Sequence, residues 1–441
     1  MVYSLAIDIG ASGGRHIVGW REDGQVKTEE IYRFENGMDE LDGHLVWDVE
    51  RLFKEVKCGI AKTFLKYPCI SSMSIDTWGV DYVLMKGEEE LFPVYAYRDS
   101  RVDGPIEAVH SIIPYEQLYG ITGTQFNKFN TVYQLYADKL AGRLLGVTDF
   151  LMIPEYLMYK LTGVKKKEYT NASTSALVSA QNGEFSKEIF EKLGLPENLI
   201  TKLSVPGEFV GRFTPEVVAE VGGNTDVVFC ATHDTGSAVE AIDMQTDAPY
   251  ISSGTWSLFG VKIPTAITDD ASRDSGYSNE GGVGYIRYLK NITGMWIIQS
   301  LRREMCPDTS YADIAKMASE SDYKEIFNVN DNAFMSPESM KAAIRDYITR
   351  AGGKAPREMA DYFNSAYHSL AASYHEAVCA LENNLGKTYS EIYIVGGGAK
   401  NEYLNALSAE YTGKKIIALP IEATAIGNIK VQLDYCEKKG Y

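Results

Sequence analysis

The chain has 441 residues, 45% of them hydrophobic and 23% charged, which suits a soluble globular protein of two or three domains. Its net charge of −17 argues against a nucleic-acid binder and makes any phosphate site depend on local donors, backbone amides or a metal, because the overall field repels anions. The opening MVYSLAIDIG is not a secretory leader, no apolar run approaches the ~18 residues of a membrane span, and six scattered cysteines without a CxxC read as reduced thiols of a cytoplasmic protein.

Ser4–Ile9 is apolar and strand-like, ending in Asp8-Ile9-Gly10. Ala11-Ser12-Gly13-Gly14 then reads as a turn in which the glycines permit positive φ. Arg15–Trp20 is a second strand, Glu22-Asp23-Gly24 a hairpin turn and Val26–Phe34 a third strand. Helical spacing follows over Trp47–Leu65, through Val49, Leu52, Phe53, Val56, Ile60 and Phe64. Ser71–Asp76 is again a strand, Trp78-Gly79 a turn and Val80–Met85 a strand closed by the charged turn 87–90. Such an opening predicts an α/β layered domain.

The middle is more helical, over Thr131–Leu145 and Ile153–Leu161, with Lys165-Lys166-Lys167 read as a solvated loop. Val227–Thr232 predicts a short buried strand. It runs into ATHDTGSAV, where Asp234 sits at a helix start. Helix-end amides favour a carboxylate there, and a plain N-cap is the competing reading.

The second half repeats the plan of the first: strand Pro249–Ser252, turn Ser253-Gly254-Thr255, strand Trp256–Lys262. A long helix over Glu358–Leu385 carries His368 and His375, read as packing or solvent-facing residues. Strand Glu391–Val395, the turn Gly396-Gly397-Gly398 and a helix over 401–412 follow. Three small-residue turns, Gly10–Arg15, Ser252–Ser257 and Gly396–Lys400, are candidate phosphate cradles, because backbone amides without Cβ atoms can converge on an anion. None fits GxxxxGK[ST], and Asn401 replaces the third glycine of a dinucleotide turn. Singly each reads as a tight turn; with Asp8 before one and Asp234 mid-chain they point to a phosphate site.

The segments LAIDIGASGGR, IDTWGVDYVL, AYRDSR, FNTVYQL, EYTNAST, ATHDTGSAV, YISSGTWSL, LKNITGMW and IVGGGAKN, in this order, resemble the FGGY carbohydrate kinases, within them the rhamnulokinase branch. The resemblance covers nearly the whole chain. It implies an α/β, two-domain actin/hexokinase-like (ribonuclease H-like) fold with the active site in the interdomain cleft. Residues 1–236 would form the sugar and phosphate side and 237–441 the nucleotide side. It implies transfer of phosphate from ATP to L-rhamnulose, with Mg2+ as cofactor, a ketose and ATP as the partners, and neither nucleic acid nor membrane. Oligomeric state stays open.

By motif, Asp234 matches the proton acceptor, and Gly79, His233, Thr235 and Asn291 the sugar contacts. Ala11, Ser12, Gly13, Gly14 and Arg15 match the ATP-phosphate turn. Thr255, Gln299 and Gly397 match nucleotide contacts, and Asp8 the magnesium acid. Kinases for fuculose, xylulose or glycerol are the alternatives within the class, and an actin-like ATPase switch the alternative outside it. Two departures stand out: Gly13-Gly14 replaces the serine-glycine common in relatives, and the chain ends at Tyr441, soon after GNI, where relatives often continue to a terminal helix packed on the body.

Overall fold

The computed structural model describes residues 1–244, 247–335, 337–419 and 422–441. Packing groups them into two compact units that are discontinuous in sequence. The first joins Met1–Ala241, Ile263–Tyr288 and Ala423–Tyr441; the second joins Ile242–Lys262 and Leu289–Glu422. The 1–236 and 237–441 division follows the chain, whereas these units follow the cores.

The first unit is built on a six-stranded sheet in the order Phe209–Arg212, Asp226–Val228, Ser72–Thr77, Ser4–Gly10, Gly13–Glu22, Gln25–Glu35. Alternation along the central strand sends its side chains to two layers. Leu5, Ile7 and Ile9 meet Val49, Leu52, Val56 and Ile60 of the Val49–Lys66 helix. Ala6 and Ile17 meet Ala425, Ile429 and Leu433 of the Ala423–Lys439 helix. The last helix therefore supplies one face of the first sheet. Close fit holds it there: a Cβ on Gly19 would lie 2.4 Å from Ile429 Cδ1.

The second unit repeats the plan. Tyr250–Ser253 pairs antiparallel with Trp256–Ile263 and parallel with Glu391–Val395, which pairs parallel with Lys415–Ala418. In the first unit Ser4–Gly10 pairs antiparallel with Gly13–Glu22 and parallel with Ser72–Thr77. The long Met359–Leu385 helix packs against Glu402–Thr412 and Tyr311–Ser319.

Several boundaries move for local reasons. Trp47 closes a strand, His44–Trp47, and Asp48 caps the helix by accepting from the Arg51 amide. The Thr131 helix stops at Leu140, because Gly142 and Gly146 adopt positive φ. Lys167 is not solvated: it is buried, with Nζ 2.7 Å from both Asp149 Oδ1 and the Leu199 carbonyl. Val80 belongs to a turn, and the strand begins at Tyr82. The Val227–Thr232 strand shortens to Asp226–Val228, with a single bridge from His233 to Thr77 beyond it. Of the two histidines on the long helix, His368 is buried with Nδ1 2.8 Å from the Tyr411 hydroxyl, and His375 lies 3.6 Å from Cys379 Sγ.

Candidate active site

In the first unit, Asp8 lies near the end of the central strand, in register with Arg15 on one neighbour and Asp76 on the other. Arg15 Nη2 approaches Asp8 Oδ2 to 2.7 Å. Asp76 is fully buried. Its Oδ2 accepts from Asn428 Nδ2 at 2.5 Å, and its Oδ1 has no hydrogen-bond partner among the described residues. Burial raises its pKa well above the carboxylate range, and the negative Asp8 and Asp234 act in the same direction.

Gly10 pairs with Gly13, leaving Ala11-Ser12 at the tip of the turn. Asn36 ties this tip down, donating Nδ2 to the Gly10 carbonyl at 2.9 Å and its amide to the Ser12 carbonyl at 3.2 Å. A hollow of about 660 Å³ opens between the turn and Arg33, Phe34 and Glu35. The expected positive φ is absent, since neither Gly13 nor Gly14 adopts it. A Cβ on Gly14 would lie 2.2 Å from the Phe34 ring, so Gly14 makes room for that ring.

His233 holds the N-cap position and Asp234 is the first residue of the Asp234–Glu240 helix. The Asp234 carboxylate is thus not the cap. Its side chain keeps 28% of its accessible surface. Desolvation raises its pKa to about 6 with help from negative Asp8, against the lowering effects of His233, the Thr235 amide and Arg287. A carboxyl tuned there is ionised at neutral pH yet basic enough to accept a proton.

Around Asp234 the sequence reading missed a buried pair. Glu280 and Arg287 lie 3.0 Å apart. Arg287 Nη1 donates to Thr235 Oγ1 at 2.9 Å, and Nη2 lies 3.2 Å from His233 Nδ1. The HDT loop is also held from behind by Glu168, whose Oε2 accepts from Thr232 Oγ1 at 2.6 Å, the Thr232 amide at 3.2 Å and Thr170 Oγ1 at 2.5 Å. Asn171 Nδ2 bridges the carbonyls of Thr232, at 3.3 Å, and Trp78, at 3.5 Å. The EYTNAST segment is therefore a clamp between the tryptophan–glycine turn and the HDT loop.

That turn is strained. Val80 has φ of 70°, a conformation costly for a β-branched residue. Asp81 holds it, accepting from Trp47 Nε1 at 2.7 Å, Trp78 Nε1 at 3.0 Å and the Tyr97 amide at 3.1 Å through Oδ2, and from Gln134 Nε2 at 3.0 Å through Oδ1. A Cβ on Gly79 would lie 3.0 Å from Thr174 Oγ1. Asp99 serves structure too, accepting from the Leu45 amide at 2.8 Å and the Arg101 amide at 3.0 Å.

In the second unit, the Ser253-Gly254-Thr255 turn is fastened to the start of the Trp296–Met305 helix. The Thr255 carbonyl accepts from the Gly294 amide at 3.2 Å and the Trp296 amide at 3.1 Å. Gly396, with φ of 86°, and Gly398 press against Ser253: added Cβ atoms would lie 2.7 Å from its carbonyl and 1.9 Å from its hydroxyl. Gly397 instead is exposed, with open space where a Cβ would stand. Gln299 and Asn291 are half-buried.

Residues 3–239 match the N-terminal domain of the FGGY family of carbohydrate kinases, and residues 249–433 match its C-terminal domain. The chain belongs to this family. A rhamnulokinase of Oceanobacillus iheyensis is 42% identical over 434 residues, 98% of this chain and 92% of that protein. One of Bacillus subtilis is 39% identical over 440 residues, 98% of this chain and 90% of that protein. Among solved structures, a ligand-bound xylulose kinase from Lactobacillus acidophilus superposes with a TM-score of 0.82 over 99% of this chain and 90% of that one, at 14% identity. Plasmodium falciparum glycerol kinase with ADP gives 0.77 over 99% and 90%, at 12% identity. These two likenesses establish the fold.

Within this FGGY kinase chain, the first unit brings together Asp8, the Ala11–Arg15 turn, Gly79 and His233-Asp234-Thr235. The second unit carries Thr255, Asn291, Gln299 and Gly397. Asp76, Asp81, Glu168, Glu280, Arg287 and Asn428 escaped the sequence reading. Asp76 and Asp81 of IDTWGVD and Glu168 of EYTNAST stood inside quoted motifs, which was the signal that could have found them.

Proposed function

We propose that this kinase transfers the γ-phosphoryl group of ATP to L-rhamnulose, giving L-rhamnulose 1-phosphate and ADP. The full-length likeness to rhamnulokinases of Oceanobacillus and Bacillus supports the choice of sugar. The observation that carries the chemistry is Asp234: a partly accessible carboxylate at a helix start, not used as the cap, with its pKa pushed up to about 6.

Asp234 takes the proton of the attacking hydroxyl as that oxygen bonds to the γ-phosphorus. The bond from this phosphorus to the bridging oxygen breaks, and ADP leaves with the electron pair. In the first unit His233, Thr235 and Gly79 hold the sugar, and the Ala11–Arg15 turn faces the phosphates. In the second, Thr255, Gln299 and Gly397 hold the nucleotide and Asn291 a sugar hydroxyl. Asp8 is the carboxylate that would hold magnesium through water. Asp8 lines the hollow beside the Ala11–Arg15 turn, where its carboxylate, now paired with Arg15, is an oxygen donor of the kind a hydrated magnesium ion takes. When bound, magnesium would offset the triphosphate charge.

Asp234→Asn tests the base. Its kcat should fall by roughly 10²–10⁴-fold, the usual size of a general-base contribution, with ATP affinity kept. A near-normal kcat would exclude the role.

A further inference from the structure

We propose that the buried Glu280–Arg287 pair is a positioning element for the sugar, an arginine fork that holds the His233 ring and the Thr235 hydroxyl, the residues before and after Asp234 in the chain. This rests on reading His233 and Thr235 as sugar contacts. The first observation is burial: the Arg287 side chain has no accessible surface and Glu280 keeps 7%. A guanidinium is rarely placed so deep unless each of its donors has a partner. Here Nε donates to the Gly281 carbonyl at 2.7 Å, Nη1 to Thr235 Oγ1 at 2.9 Å and Nη2 to His233 Nδ1 at 3.2 Å, with Glu280 Oε2 ion-paired at 3.0 Å from Nη2.

The second observation is what the fork reaches. His233 Nδ1 lies 3.2 Å from both Arg287 Nη2 and Glu280 Oε2, which leaves Nε2 on the side of Asp234, 3.6 Å from its Oδ1. One planar group thus fixes the residues before and after the base. The third is the floor of the helix: a Cβ on Gly236 would lie 3.6 Å from Arg287 Cζ, in ordinary contact, and 3.1 Å from Ala231 Cβ. The guanidinium therefore packs beneath the first helical turn. Its positive charge beside a helix N-terminus opposes the helix dipole, and Glu280 compensates it. Lysine at 287 would keep the charge but lose the fork.

The test compares Arg287→Lys and Glu280→Gln with the parent enzyme. Sugar and ATP are varied separately, thermal melting is followed, and histidine side-chain ¹⁵N signals are recorded without substrate, His233 being assigned through His233→Gln. We expect KM for L-rhamnulose to rise and kcat to fall by about 10–100-fold, as for a displaced reacting group. KM for ATP should stay within about twofold, and the His233 ring signals should move in both variants. Folded variants with parental sugar kinetics overturn the proposal. So does a parallel loss of sugar and ATP parameters together with melting temperature, the mark of a purely structural pair. The ring signals need no sugar, so the pair's hold on His233 is tested even if the parent enzyme prefers another ketose; unmoved signals overturn it.

Discussion

Gly427→Ala should slow this enzyme although residue 427 carries no chemistry. In the Ala423–Lys439 helix, a Cβ at this position would fall 1.8 Å from the Ser237 carbonyl oxygen and 3.0 Å from the Ala241 amide nitrogen. Ser237 lies in the short helix that begins with Asp234. Ordinary contact starts near 3.4 Å, so the two helices must separate by about 1.6 Å. Both neighbours are backbone, so no side-chain rotation relieves the clash. Overpacking of this kind costs about 1–3 kcal/mol. A shift of about 1 Å in a reacting group can cost about 100-fold in rate. The same helix donates from Asn428 to Asp76, so that bond should loosen as well. The assay is coupled ADP release at saturating sugar and ATP, with circular dichroism melting beside it. The expected result is a kcat lowered about 10–100-fold and a melting temperature several degrees lower. A variant with parental kcat and melting temperature would refute the view that this crossing sets the position of the base.

Two predictions concern protons. With Asp234 pushed up to about 6 and acting as the ionised base, kcat/KM for the sugar should fall below pH 6, approaching tenfold per pH unit; a profile flat from pH 7 to 5 would contradict this. Burial lowers the His16 pKa from 6.5 to about 4, while Nε2 donates to the Val56 carbonyl at 3.0 Å. The folded state keeps this ring neutral where the unfolded chain protonates it. Its contribution is therefore complete above pH 6.5 and is lost as pH falls towards 4, by about 3 kcal/mol. Denaturant melts of His16→Gln should lack that part of the acid slope, and an unchanged slope would count against it.

The strands, the turns and the HDT segment were legible because their signals are local. Asp8-Ile9-Gly10 ends an apolar alternation, and Asp234 follows a buried run into small residues. What stayed hidden depends on contacts between distant segments. Asp76 reads as the polar end of a strand until Asn428, 352 positions away, is seen to donate to it. Arg287 reads as a polar strand residue until Thr235, 52 positions back, is seen to accept its hydrogen bond. Lys167 looked like one of three solvated lysines, and only its pairing with Asp149 sets it apart. Gly14 was expected to permit a positive φ, but the Phe34 ring on another strand is what excludes a side chain there. The Ala423–Lys439 helix closes the core of the first unit through Ala425, Ile429 and Leu433, a contact between the two ends of the chain that no local pattern announces.

The central claim, a sugar kinase for L-rhamnulose, is tested most directly by one coupled ADP-release assay with ATP, magnesium and a panel of L-rhamnulose, L-fuculose, D-xylulose and glycerol. The prediction is sugar-dependent ADP release with the highest kcat/KM for L-rhamnulose. Faster turnover of xylulose or glycerol would contradict the substrate, and ADP release that no sugar stimulates would contradict the kinase reading of Asp234.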